Sequence, residues 1–166
     1  MEFLLVIVIL GISLFVGLLL SEKQKRKLDA LNGLCTGISE LRLRLKFNRS
    51  SILELTGELA KRDDAAGQFW KEMNVKLSAG QSVADSAAES AAVTLLFCGE
   101  EIVDLLSDSF ALFGTADADT ELKRLELAGL KLGKITEAFA IDCPKQIKLT
   151  KTIAALGGAA FALMIL

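Results

Sequence analysis

Asp104 and Asp108 stand one helical turn apart, a spacing that brings two carboxylates together for general acid–base chemistry. No nucleophile or metal partner accompanies them. Gly129 to Ile135 reads GLKLGKI, which has three residues between its glycines where a phosphate loop needs four, and Ile135 where a magnesium-binding Ser or Thr belongs. It also sits in a helical pattern with no strand before it. Asp117, Asp119 and Glu121 alternate like the opening of a calcium loop, but the matching glycine and distal glutamate are missing. The chain has 0 histidines, which removes the commonest general base and metal ligand and makes a Ser-His-Asp triad impossible. Its 3 cysteines, Cys35, Cys98 and Cys143, lie far apart with no C-x-x-C pair. The expectation is a protein that is not an enzyme, with no catalytic residues, cofactor, metal or small-molecule substrate.

The elements that carry these residues read as helices. There is 1 proline in 166 residues, and Ala, Leu, Lys and Glu dominate the middle of the chain. Leu28, Leu31, Cys35, Ile38, Leu41 and Leu45 recur at three- and four-residue steps. LRLRLKF (Leu41 to Phe47) alternates like a strand, yet it continues the helical face from Ile38 and is assigned to the helix. Ser51 with Glu54, and Ser82 with Asp85, start further helices as caps. Gly80 ends one helix and Gly114 another, in the left-handed conformation glycine tolerates. After Gly114, Thr115, Asp117 or Asp119 caps the next helix, with Glu121 in its first turn, where the helix dipole favours an anion. That helix runs to Cys143, and Pro144 is expected to kink or break it. Gly114 and Asp117 are the structurally demanding turn positions.

The two ends are apolar. Phe3 to Leu20 is eighteen residues without a charge, the length of a membrane-spanning helix, and its basic residues follow the run instead of preceding it, unlike a cleaved signal. Thr152 to Leu166 is a second uncharged run of fifteen residues. It is short for a span by itself, but Lys148 and Lys151 can snorkel beside it, and Ala154, Gly158 and Ala162 repeat small residues every fourth position, as membrane helix pairs do. Lys23, Lys25, Arg26 and Lys27 follow the first run, and Lys145, Lys148 and Lys151 precede or border the second. The positive-inside rule then places the middle in the cytoplasm and both termini outside it. The expected architecture is all-α: a transmembrane helix over 3–20, a cytoplasmic antiparallel bundle of about five or six helices over 21–151, and a second transmembrane helix over 152–166.

Charge is uneven along the bundle. No basic residue lies between Lys76 and Lys123, an interval holding nine acids. Seven of them, Glu100, Glu101, Asp104, Asp108, Asp117, Asp119 and Glu121, form a candidate acidic face for a basic partner. Nucleic acid, which needs a basic stripe, is excluded as a partner.

Three stretches carry a family resemblance: Leu45-Lys46-Phe47 followed by Ser51-Ile52; FWKEMNVKLSAGQSVADSAAE; and Phe113-Gly114-Thr115-Ala116-Asp117 with a leucine-rich helix and an apolar end after it. In order and spacing the chain resembles stage III sporulation protein AB of endospore-forming bacteria. It departs from that pattern at Arg42 and Arg44, where acids are usual, and at Glu121, where Gln is usual. The resemblance implies a cytoplasmic domain similar to the F-type platform proteins of type II secretion and type IV pilus systems. It also implies a place as a non-catalytic platform or scaffold in the transenvelope complex between mother cell and forespore, in the mother-cell membrane. The partners implied are the other subunits of that complex, including its cytoplasmic ATPase, AA. An inner-membrane platform component of a type II secretion or type IV pilus-like machine is the alternative.

Overall fold

Four side chains set the starts of four helices. Ser51 accepts from the N–H of Glu54 at 3.2 Å and Asp64 from Gly67 at 2.6 Å. Ser82 accepts from Asp85 at 3.1 Å and Asp117 from Thr120 at 3.1 Å. Each bond satisfies an N–H that the helix itself leaves without a partner. In this computed structural model, residues 2–48 and 51–165 are described, except for the side chains of 2–7, 9, 10, 14, 48, 161–163 and 165.

The described residues form α1 (Glu2–Asn48), α2 (Ile52–Leu59), α3 (Ala65–Ser78), α4 (Val83–Thr94), a 3-10 turn (Leu96–Cys98), α5 (Glu100–Phe110) and α6 (Ala118–Ile165), with no strand among them. LRLRLKF is helical, as its continuation of the Ile38 face requires. Gly80, Gly99 and Gly114 take positive φ and turn the chain between helices.

Residues 29–137 form one compact unit, and 1–28 with 138–166 form another. In the first unit, α2 packs on α3, α3 on α4, and α4 on α5. Trp70 and Phe69 of α3 and Phe110 of α5 are fully buried, with ring centroids 4.7 Å (Phe69–Trp70) and 6.4 Å (Trp70–Phe110) apart. Leu31, Leu34, Ile38 and Leu41 of α1, Met73, Leu106 and Leu132 are also fully buried in this unit. Gly33 and Gly37 bring the α1 backbone onto α3: a Cβ at Gly37 would lie 2.7 Å from Trp70 Nε1, and one at Gly33 2.8 Å from the Ala66 Cβ. Arg42 pairs with Glu126 at 3.2 Å, and the Cys35 thiol lies 3.4 Å from the Thr136 hydroxyl, tying α1 to α6.

In the second unit the Ser13 hydroxyl donates to the Ala154 carbonyl, and Gly17 lies against Ala154. Gly158 is buried, while Ile12, Phe15, Leu18, Ile153 and Leu156 are exposed.

The expected helix boundaries need correction at both ends. Each terminal apolar run is continuous with the helix beside it, giving α1 and α6, instead of forming a separate element. Pro144 does not break α6. Its missing N–H leaves the Ala140 carbonyl without an intrahelical partner, and since both residues are exposed, water can supply one. Among the described residues no helix is long and apolar enough to cross a membrane. Residues 3–7, 9, 10 and 14 of the first expected span, and 161–163, 165 and 166 of the second, lie outside the described side chains.

Candidate functional site

α5 buries Ile102, Leu106 and Phe110 along one stripe. The same helical period turns Glu100, Glu101, Asp104 and Asp108 away from the core, and all four are exposed. Glu100 and Glu101 occupy the first turn, where their charge suits the helix dipole, and Gly99 with φ of 108° turns the chain into it. Facing this wall, α6 presents Lys131, Lys134 and Ile135. Together with Leu105 these residues line an open groove of about 710 Å³. Arg124 closes α6 onto α5 at the far end, its Nη1 donating to the Asp108 carbonyl at 3.1 Å. Among the described residues none of the groove's four acids or two lysines is in an ion pair with another residue.

The remaining acids of the block are mostly engaged locally. Asp117 accepts from both the N–H and the hydroxyl of Thr120, and these hydrogen bonds hold its carboxyl below the usual aspartate range. Glu121 accepts from the Gly114 N–H at 2.6 Å, across a turn that Gly114 makes with φ of +85°. Glu89 is bound by Lys76 and by Gln81 at 2.9 Å, and Lys76 above all lowers its carboxyl pKa. Asp85 accepts from the Ser82 hydroxyl at 2.6 Å. Asp119 is exposed in the first turn of α6 and does not line the groove. The seven acids proposed as one face are therefore two groups: four on the groove wall, and three at the start of α6, of which Asp117 and Glu121 hold a turn.

The basic residues flanking the apolar runs all lie in the terminal unit. Lys23, Lys25, Arg26, Lys145, Lys148 and Lys151 are exposed. Lys27 places its ammonium 5.0 Å from the Phe139 ring centroid, and Lys145 lies 3.7 Å from Asp142.

Lys131, Lys134 and Ile135 are functional-surface candidates that the sequence reading passed over. They belong to GLKLGKI, which the structure places in the middle of α6 with no loop. The available signal was the three- and four-residue spacing from Lys131 to Lys134 and Ile135, which puts all three on one side of a helix. Among the described residues no group of three or more His, Cys, Asp or Glu side chains is arranged to hold a metal ion.

A family model described as stage III sporulation protein AB matches residues 2–166. No curated protein and no solved structure matches the chain.

Proposed function

The chain belongs to the stage III sporulation protein AB family, and from that premise we propose that it is a non-catalytic scaffold subunit of the transenvelope complex between mother cell and forespore, anchored in the mother-cell membrane by its two apolar ends. The observation that carries the anchoring is the pairing of those ends. Ser13 and Gly17 of α1 meet Ala154 of α6, and Ser21 returns its hydroxyl to the Gly17 carbonyl at 2.8 Å. Small residues and satisfied hydroxyls thus lie inside the pair. Large apolar side chains point out: Phe15 is 62% exposed and Leu156 66%. That is the inverse of a water-soluble hairpin and suits a hydrocarbon surround, where helices associate through close packing of small residues.

The lysines and arginine beside both runs favour a two-pass topology with the bundle in the cytoplasm and both termini outside it. A cytoplasmic bundle is open to the complex's ATPase, AA, and to its other subunits, and the acidic wall of α5 supports a partner that brings basic residues.

The test is an in-frame deletion of the gene in its spore-forming host, scored for heat-resistant spores and late forespore gene expression. The expected result is a block after engulfment that the full chain rescues and residues 21–151 alone do not. Normal spore yield in the deletion strain would overturn the scaffold role. Rescue by residues 21–151 alone would overturn the anchoring.

A further inference from the structure

We propose that the groove between α5 and α6 receives one α-helix of a protein partner, carrying a basic stripe toward α5 and an acidic stripe toward α6, with its apolar edge on Leu105 and Ile135. This rests on the scaffold reading and specifies the partner's chemistry.

The charges are sorted by wall. The charged lining residues of α5 are all carboxylates, Glu100, Glu101, Asp104 and Asp108, and those of α6 are both ammonium groups, Lys131 and Lys134. Opposite charges on adjacent helices ordinarily pair across the seam. Arg42 and Glu126 do so between α1 and α6 at 3.2 Å, and Lys76 and Glu89 do so between α3 and α4. Across this groove, among the described residues, no such pair is present, and the two walls enclose an open groove of about 710 Å³. Both rows are left to a third body that fits between them. Solvated surface charges are common and by themselves mean little. Segregation of sign onto two facing walls with an apolar floor is a more specific pattern.

The dimensions suit a helix. Glu100 to Asp108 covers eight residue steps, about 12 Å at ~1.5 Å per residue, or a little over two turns. A partner helix presents side chains at three- and four-residue steps over the same length. A small-molecule site would be enclosed and mostly apolar, with a few converging polar groups. This groove is open to solvent on one side instead of enclosed. An anionic lipid surface or a nucleic acid would meet the four carboxylates of α5 as a repelling wall. A uniformly basic helix would meet Lys131 and Lys134 in the same way. The two-stripe helix satisfies both walls, and the order of its stripes sets which way its chain runs along the groove.

The experiment uses the full chain in lipid nanodiscs and two fluorescein-labelled designed helical peptides of roughly 18 residues, ~27 Å long. One has an arginine stripe and a glutamate stripe on either side of a leucine edge. The other has the same composition with the charges mixed on both sides. Fluorescence anisotropy is expected to show binding of the striped peptide, at least ~10-fold weaker binding of the mixed one, and a comparable weakening as salt screens the charges. E101K/D104K and K131E/K134E, all at exposed positions, should each weaken the striped peptide at least ~10-fold while circular dichroism stays unchanged. Equal binding of the two peptides, no binding of either, or indifference to both charge reversals would overturn the groove assignment. These outcomes leave the deletion phenotype untouched. Normal sporulation in the deletion strain would sink the scaffold reading whichever peptide binds.

Discussion

Gly17 of α1 faces Ala154 of α6 so closely that a Cβ added to Gly17 would stand 2.8 Å from the Ala154 Cβ. The obstructing atom is itself a Cβ fixed to a helix backbone, so no rotamer change relieves the contact. The backbone pair is closed further by the bond from Ser13 to the Ala154 carbonyl.

Gly17→Leu should therefore push the terminal helices apart. The expected cost is about 1–3 kcal/mol, in the range of overpacking a closed interface. Thermal unfolding of the full chain in nanodiscs measures it, with Gly17→Ala expected between wild type and Gly17→Leu. Because the Ser21 hydroxyl bonds within its own helix, Ser21→Ala should change the melting temperature far less. Equal melting temperatures for Gly17→Leu and wild type would show that the pairing is not close.

A second close approach organises the bundle. Gly37 lies against the indole of Trp70, which is fully buried and walled by Phe69 and Phe110. Gly37→Ala places a methyl 2.7 Å from Nε1 and 3.0 Å from Cε2. With no room to retreat, the ring or α1 must shift, at about 1–3 kcal/mol. Trp70 is the only tryptophan, so its emission reports the site directly. A red shift together with a lower unfolding midpoint is expected, and unchanged emission would contradict the packing.

What the sequence displays well is local. Ser51, Ser82 and Asp117 cap helices within three residues of themselves, so the capping pattern locates α2, α4 and α6. Gly80 and Gly114 mark turns because only the local backbone decides their φ. The continuity of α1 past Leu20 and of α6 past Pro144 is less visible. An apolar run and an amphipathic pattern can belong to one helix whose surroundings change along its length, and periodicity reports the surroundings. The groove is not visible at all in a one-dimensional pattern. It depends on which wall α6 presents to α5, so Lys131 and Lys134 look like part of a failed phosphate loop until the two helices are side by side. Gly33 and Gly37 are similar: only the fold supplies Ala66 and Trp70 as the partners that require them to be small.

Acid sensitivity should centre on Asp64. Burial works to raise its carboxyl pKa, but the Arg62 side chain, at 2.8 Å, and the Gly67 N–H outweigh it and hold the group below the ordinary value of 3.8. A carboxyl depressed in the folded state contributes fully above its unfolded value, and that contribution is lost as pH falls through the folded one. Stability should therefore fall in the region below 3.8. Asp64→Asn keeps a capping acceptor but loses the charge. Its unfolding midpoint should be lower at neutral pH, and the gap to wild type should close in acid. Parallel pH profiles for the two proteins would remove Asp64 as the source.

The turn into α6 is held from both sides, by Asp117 on the Thr120 N–H and by Glu121 on the Gly114 N–H. Asp117→Ala removes the cap and should cost about 0.5–2 kcal/mol. At Gly114 no atom outside the turn lies within 4 Å of an added Cβ, so the obstacle is the φ of +85° alone. Gly114→Asn, which tolerates the left-handed region, should therefore be mild, whereas the β-branched Gly114→Val should lose about 1–3 kcal/mol. Chemical denaturation of the three variants checks this order. Equal losses for Asn and Val would mean that the positive φ is not what constrains the position.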